Sequence, residues 1–206
     1  MRTLLSIAAI AAVAGPALAD QYTDLMTFQG ATAATQLINF DTDPSGVPLG
    51  PGGDVEIGTT YSAWGAVFPR GNRSISFFGQ PVSSPRGWLN DTASGSDRIF
   101  DVDITAGDIT AVGVHNVGFG GTPAGSTLRA YGDGGVLLDS VTSNAIASTL
   151  DFFGVTTTSP IRRVEITVNE AGGWGLDDLY IGQAIPAPTS LAALGLAGLA
   201  VGRRRR

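Results

Sequence analysis

The sequence predicts an all-β protein, an antiparallel β-sandwich of jelly-roll form, and three observations lead there. Short runs of β-branched, aromatic and aliphatic residues recur along the middle of the chain, separated by turn residues. The composition is 43% hydrophobic and only 15% charged, with 29 glycines and 11 prolines, which suits strands joined by tight turns. Between the two ends no convincing amphipathic helix appears, and consecutive short strands without helices pack as sheet on sheet. The middle carries too many β-branched and aromatic residues for an intrinsically disordered chain. No internal repeat is visible, so neither a solenoid nor a propeller is expected.

Taken in order, the first candidate strands are residues 37–40, 65–68 and 75–78. Residues 98–104 alternate cleanly: Phe100, Val102 and Ile104 share one face, and Asp101 and Asp103 share the other, which reads as a solvated strand face. Residues 109–117, 127–131 and 136–141 follow, the last two joined by Gly132-Asp133-Gly134-Gly135, a hairpin signal because glycine accepts positive φ. Residues 150–155, 161–168 and 176–181 complete about ten strands. Residues 23–36 fit a short helix or an extra edge strand, and residues 83–91, which contain Trp88, read as a polar loop.

Both ends read as addresses rather than fold. Met1-Arg2-Thr3, an apolar run from Leu4 to Ala14, a Gly15-Pro16 break and Ala17-Leu18-Ala19 make the three-part pattern of a secretory signal peptide. Ala17 and Ala19 occupy the small-residue positions of the cleavage site, and Asp20 is the expected new N-terminus. At the other end, Pro186-Ala187-Pro188 precedes an apolar segment that closes on Arg203, Arg204, Arg205 and Arg206. As a helix, residues 189–202 would extend ~21 Å at ~1.5 Å per residue. A bilayer core of ~30 Å is crossed only if flanking residues are recruited or the membrane thins. The four arginines resist translocation and act as a cytoplasmic stop. The expected organisation is therefore a signal helix over 1–19, an exported β-sandwich over 20–183 and a hydrophobic helical tail over 184–206, which anchors the chain in the inner membrane at least transiently.

The proline motif, short apolar helix and basic end together resemble the PEP-CTERM sorting signal. The resemblance covers about the last 21 residues. It implies recognition by an exosortase-type enzyme that cuts near the motif and releases or transfers the protein. The family's central glutamate is replaced here by Ala187, which leaves the cutting step open; a simple tail anchor is the other reading. A second resemblance runs through the core. Phe40-Asp41-Thr42-Asp43-Pro44-Ser45-Gly46, then Tyr61 through Phe68, then Gly175-Leu176-Asp177-Asp178-Leu179-Tyr180-Ile181 are similar to the opening and closing strands of secreted bacterial β-sandwich domains. Many of those domains resemble carbohydrate-binding modules, which implies a fold more than a ligand.

Charge narrows the partners. All twelve basic residues are arginines. Setting aside Arg2 and Arg203 to Arg206 leaves seven against eighteen acids, a formal charge of about −11 on the domain. Nucleic acid is excluded as a partner, because phosphate binding needs clustered positive charge. Without cysteine there are no disulfides, thiolate metal sites or cysteine nucleophiles. Asp41, Asp43, Asp177 and Asp178 lie near the first and last strands, which often run side by side in a jelly roll, and such hard oxygen donors suit a structural calcium. Against this, adjacent strand residues point to opposite faces, so Asp177 and Asp178 share one ion only across a bulge.

No catalytic residue is assigned. His115 is the single histidine; alternation with Val112 and Val114 places it on the opposite face, the outside of the sheet, and no Gly-x-Ser-x-Gly elbow accompanies it. Gly118-Phe119-Gly120-Gly121 lacks the full glycine pattern of a nucleotide loop and reads as a turn. Trp64, Trp88 and Trp174, with Tyr61, Tyr131 and Tyr180, are the aromatic residues considered for stacking on sugar. Trp64 and Trp174 fit the core better, and Trp88 is the candidate for a ligand contact. The expected function is an exported envelope or extracellular-matrix protein of structural or adhesive role, binding polysaccharide without catalysis. The alternative is a secreted hydrolase acting on polysaccharide through two carboxylates, which eighteen acids allow but no pattern marks.

Overall fold

A computed structural model describes residues 19–49, 55–69, 73–76, 88–91, 99–118, 126–143, 151–167 and 174–186. The signal segment through residue 18, and the tail from Ala187 onward with Pro188 and Arg203 to Arg206, lie outside the described residues. Leu18–Ile185 forms one compact unit. Among the described residues no helix is long and apolar enough to cross a membrane.

The strands are β1 (Asp20–Tyr22), β2 (Thr32–Ile38), β3 (Val55–Glu56), β4 (Ala66–Val67), β5 (Arg73–Ser76), β6 (Trp88–Asp91) and β7 (Ile99–Ile104). They continue with β8 (Ala111–Gly118), β9 (Thr127–Tyr131), β10 (Leu137–Thr142), β11 (Asp151–Thr156), β12 (Arg163–Thr167) and β13 (Trp174–Ala184). One sheet runs β1-β11-β8-β13-β6-β5-β3, with β2 also on β13; the other runs β10-β9-β12-β7-β4. All named pairings are antiparallel. One apolar cluster joins the inner residues of both sheets, Val112, Val114, Phe153 and Ile181 from the first with Phe100, Val102, Leu128 and Ile166 from the second. The fold is therefore a β-sandwich. Fully burying a side chain of this size contributes roughly 1.5–3 kcal/mol.

The alternation in residues 98–104 is realised in β7, where Phe100, Val102 and Ile104 are buried in the core. Its outer face departs from expectation. Asp101 is only 8% exposed, because Arg163 lies against it rather than open solvent.

Residues 23–36 hold both elements that were open to them: a one-and-a-half-turn helix, α1 (Leu25–Gly30), and then β2. Asp24 caps the helix by accepting from the Thr27 backbone N–H at 2.8 Å and its hydroxyl at 2.7 Å, and these bonds hold its carboxyl below the usual carboxylate range. So short a helix persists by packing. Phe28, fully buried, stacks among Tyr22, Phe152 and Tyr180 on the outer face of the larger sheet. That second cluster explains the glycines beneath it. A Cβ on Gly113 would lie 2.4 Å from Phe152 Cζ.

Residues 88–91 are corrected from loop to strand: β6 pairs with β5, Ser76 opposite Trp88, and with β13 through Leu176 opposite Leu89. Leu89 is buried in the core. Polar neighbours masked this strand in the sequence, because Leu89 is its one aliphatic residue and no alternation is visible over four positions.

Candidate functional site

The sequence-level acids come first. β2 does lie beside β13, with Ile38 opposite Leu179, so the chain leaves β2 toward Asp41 at the end of β13 that carries Asp177 and Asp178. The bulge needed by that pair is present: the register with β8 shifts between Asp177 and Tyr180, and Asp178 has φ 50°. Both aspartates are buried, Asp177 completely. Asp41 is also buried, whereas Asp43 builds its own turn. Its Oδ1 accepts from Ser45 N at 2.8 Å, Ser45 Oγ at 2.7 Å and Val47 N at 2.9 Å, which holds the Asp43 carboxyl below its ordinary range. Among the described residues no three His, Asp or Glu side chains are grouped as a metal site. The four aspartates are thus drawn toward one region but do not form one cage.

The aromatic candidates separate. Tyr61 is buried and donates its hydroxyl to the Thr42 carbonyl at 3.0 Å; burial, with the charges of Asp41 and Asp43, pushes its phenol up. Trp64 packs partly buried against the main core, 5.8 Å from the Tyr61 ring. Of Trp88 and Trp174 the structure describes the backbone, both in strands of the larger sheet. Tyr180 is buried, its phenol raised to about 12 by burial and by Asp178 and Asp177.

His115 is on the face opposite Val112 and Val114, as alternation requires. That face is not solvent but the outer aromatic cluster, where the imidazole lies 5.2 Å from Phe152 and 6.1 Å from Tyr180. It is 7% exposed, and burial lowers its pKa to about 4, so it is neutral at pH 7. The imidazole packs edge to ring against Phe152 and beside Tyr180.

The open site lies elsewhere, at one end of the smaller sheet. There Asp103 on β7, Arg163 on β12 and Tyr131 on β9 stand in register across three strands. One residue on from Tyr131, Gly132 starts the turn to β10, and Gly134 and Gly135 take φ 69° and 75°, a backbone that glycine adopts without cost. The backbone N–H of Arg162 donates to the Tyr131 carbonyl at 2.7 Å, and the N–H of Ile104 donates to the Arg162 carbonyl at 2.8 Å. These two bonds pin the start of β12 between its neighbours. Together Asp103, Tyr131, the Gly132–Gly135 turn, Arg162 and Arg163 line an open cleft of about 460 Å3.

Its charged groups are held in place. Arg162 Nε donates to Asp133 Oδ1 at 2.8 Å and Nη1 to the Gly107 carbonyl at 3.1 Å. Arg163 Nη2 reaches Asp101 Oδ1 at 3.2 Å and Glu165 Oε2 at 2.9 Å, and its guanidinium lies 5.4 Å from the Tyr131 ring centre. Glu165 shares its other oxygen with Arg129 at 3.2 Å, and Arg129 also donates to Thr167 at 3.0 Å. Single exposed pairs of this kind stabilise by only ~0–1 kcal/mol, so the network orients side chains more than it holds the fold together. Tyr131 and the turn were visible in the sequence, but Arg162 and Arg163 were not singled out. The available signal was that they are the one adjacent arginine pair before the tail.

Fold and site together define a β-sandwich domain with an open, polar, partly aromatic cleft. No known protein family and no curated protein matches the chain. Solved structures with a similar course include the GH26-CBM35 β-(1,4)-mannanase of Podospora anserina, at 12% identity and TM-score 0.39, over 75% of this chain and 29% of that one. TmCBM61 in complex with β-1,4-galactotriose matches at 16% identity and TM-score 0.35, over 57% and 86%. The carbohydrate-binding module CBM6cm-2 from Cellvibrio mixtus lichenase 5A, in complex with cellotriose, matches at 12% and 0.33, over 73% and 98%. All are remote, and this chain spans less than a third of the mannanase.

Proposed function

We propose that the chain is an exported, non-catalytic protein of the cell envelope or extracellular matrix. In this reading its jelly-roll sandwich binds polysaccharide, and its tail is sorted by an exosortase-type enzyme. The observation that carries it is the fit between the folded unit and the two addresses. β1 begins at Asp20, the residue after the expected cut at Ala19, and β13 ends at Ala184, two residues before Pro186. The sheet thus runs one residue past the expected boundary at 183, and cuts after Ala19 and at the Pro186-Ala187-Pro188 motif would take nothing from either sheet. Polysaccharide is the partner that suits the outer face of the smaller sheet, where Thr127, Arg129, Tyr131, Arg163, Glu165 and Thr167 stand in paired rows of donors and acceptors.

Intact mass of the mature protein from its native cell tests the addressing. The expected species starts at Asp20 and lacks the segment beyond the Pro186-Ala187-Pro188 motif. A mature chain retaining residues 1–19 refutes export by this signal. One that starts at Asp20 but keeps Arg203 to Arg206 refutes the cut and leaves a membrane-anchored protein. Incubation with polysaccharides, read as new reducing ends, checks the absence of catalysis; steady release would overturn it.

A further inference from the structure

Two kinds of surface meet at the Gly132–Gly135 turn. On one side is the cleft, with Asp103, Asp133, Arg162 and Arg163 around Tyr131. On the other, Val136 and Leu137 are 61% and 52% exposed, and Leu137 is the register partner of Tyr131. Fixed charges beside a ring and two bare aliphatic side chains suit a ligand with apolar faces and a polar rim. A pyranose has that form, with C–H groups on its faces and hydroxyls at its edge. Gly134 and Gly135 leave backbone exposed, and a Cβ on either would meet nothing within 4 Å, so this part of the turn is open to close approach. The volume of about 460 Å3 falls within the roughly 300–1,000 Å3 of ligand clefts.

The charges select among glycans. A guanidinium only donates hydrogen bonds and an ionised carboxylate only accepts them, whereas a hydroxyl does both. Arg162 and Asp133, locked together at 2.8 Å, therefore offer adjacent donor and acceptor positions at fixed spacing. Two neighbouring hydroxyls match them, one accepting from Arg162 and the other donating to Asp133. An anionic sugar fits less well. Each arginine of the cleft is already paired with a carboxylate, the two arginines and two aspartates of the lining cancel, and the domain as a whole is strongly acidic.

We propose that this cleft binds a neutral glycan through vicinal hydroxyls, with Asp133 and Arg162 reading the hydroxyls and Tyr131 and Leu137 meeting the C–H face. The proposal rests on the polysaccharide-binding reading above and gives it a place and a ligand class. The test is affinity electrophoresis of the exported chain in gels holding a neutral polysaccharide (galactan, glucomannan or β-glucan) or polygalacturonate. Retardation is expected in a neutral gel and is expected to vanish when that polysaccharide's vicinal diols have been cleaved with periodate. Asp133→Ala and Tyr131→Ala are each expected to weaken it at least tenfold, and Trp88→Ala, on the other sheet, to leave it unchanged. The Asp133 side chain is 80% exposed, so its removal spares the fold even if Tyr131→Ala does not. Neutral-gel retardation that survives Asp133→Ala, or is lost in Trp88→Ala, overturns the cleft while leaving polysaccharide binding standing. Stronger retardation by polygalacturonate overturns the neutral class. Retardation in no gel overturns the polysaccharide reading itself.

Discussion

Lowering the pH from 7 to 4.5 is expected to cost the folded domain about 2.5 kcal/mol through His115 alone. The imidazole is buried against Phe152 and Tyr180, and burial lowers its pKa to about 4 from an ordinary 6.5. The unfolded chain therefore binds a proton below pH 6.5 that the folded chain refuses until about pH 4. Stability contributed by the neutral form is complete above the unfolded value and is lost as pH falls toward the folded one. A shift of this size is on the order of 3 kcal/mol when complete, at ~1.36 kcal/mol per unit, and most of it has appeared by pH 4.5. Beside it on β13 stand Asp177, in register with His115, and Tyr180, which in turn feels Asp178 and stays neutral throughout the window. Asp24 and Asp43, whose carboxyls are held below 3.8, lose their contribution only at lower pH. The assay is urea unfolding at pH 7 and 4.5 for the native chain and for His115→Phe, which keeps a ring against Phe152. The variant is expected to lose about 2.5 kcal/mol less than the native chain over this interval. Equal losses in the two proteins would falsify the argument, because the proton uptake would then belong to other groups.

Three further outcomes follow from the same geometry. Gly113→Ala places a Cβ 2.4 Å from Phe152 Cζ and 3.3 Å from Phe28 Cζ, so thermal melts are expected to show a loss of about 1–3 kcal/mol from overpacking. Asp43→Ala removes the acceptor shared by the amides of Ser45 and Val47, and their hydrogen exchange is expected to quicken while strand amides in β8 stay protected; uniform quickening would assign Asp43 a global role. EDTA is expected to leave the melting temperature unchanged, since the Asp43 Oδ1 is already taken by its own turn and no three acids among the described residues group as a metal site. A lower melting temperature in EDTA would restore calcium at Asp41, Asp43, Asp177 and Asp178.

What was legible in the sequence was local. Period-two alternation placed Phe100, Val102 and Ile104 in the core, and the glycines at 132–135 marked the hairpin between β9 and β10, since both signals lie within a few residues of backbone. Strand β6 was missed because its single aliphatic residue, Leu89, shows no period by itself; pairing with β5 and β13 makes it a strand. His115 was placed on the correct face from its neighbours. Its burial rests on Phe152 and Tyr180, which the neighbouring strands β11 and β13 bring beside it.

The sequence by itself determined that this chain is β-rich, acidic and without cysteine. Composition, hydrophobic period and turn residues are enough for that, because each acts over a few bonds. Only the tertiary structure decided that Asp101 lies under Arg163, that Asp178 sits in a bulge, and that Asp103, Tyr131, Asp133, Arg162 and Arg163 meet around one cleft. Those residues come from β7, from the β9–β10 hairpin and from the start of β12, and no local pattern relates them. Sheet register brought them together, and register is settled by which strands bury their apolar faces against one another.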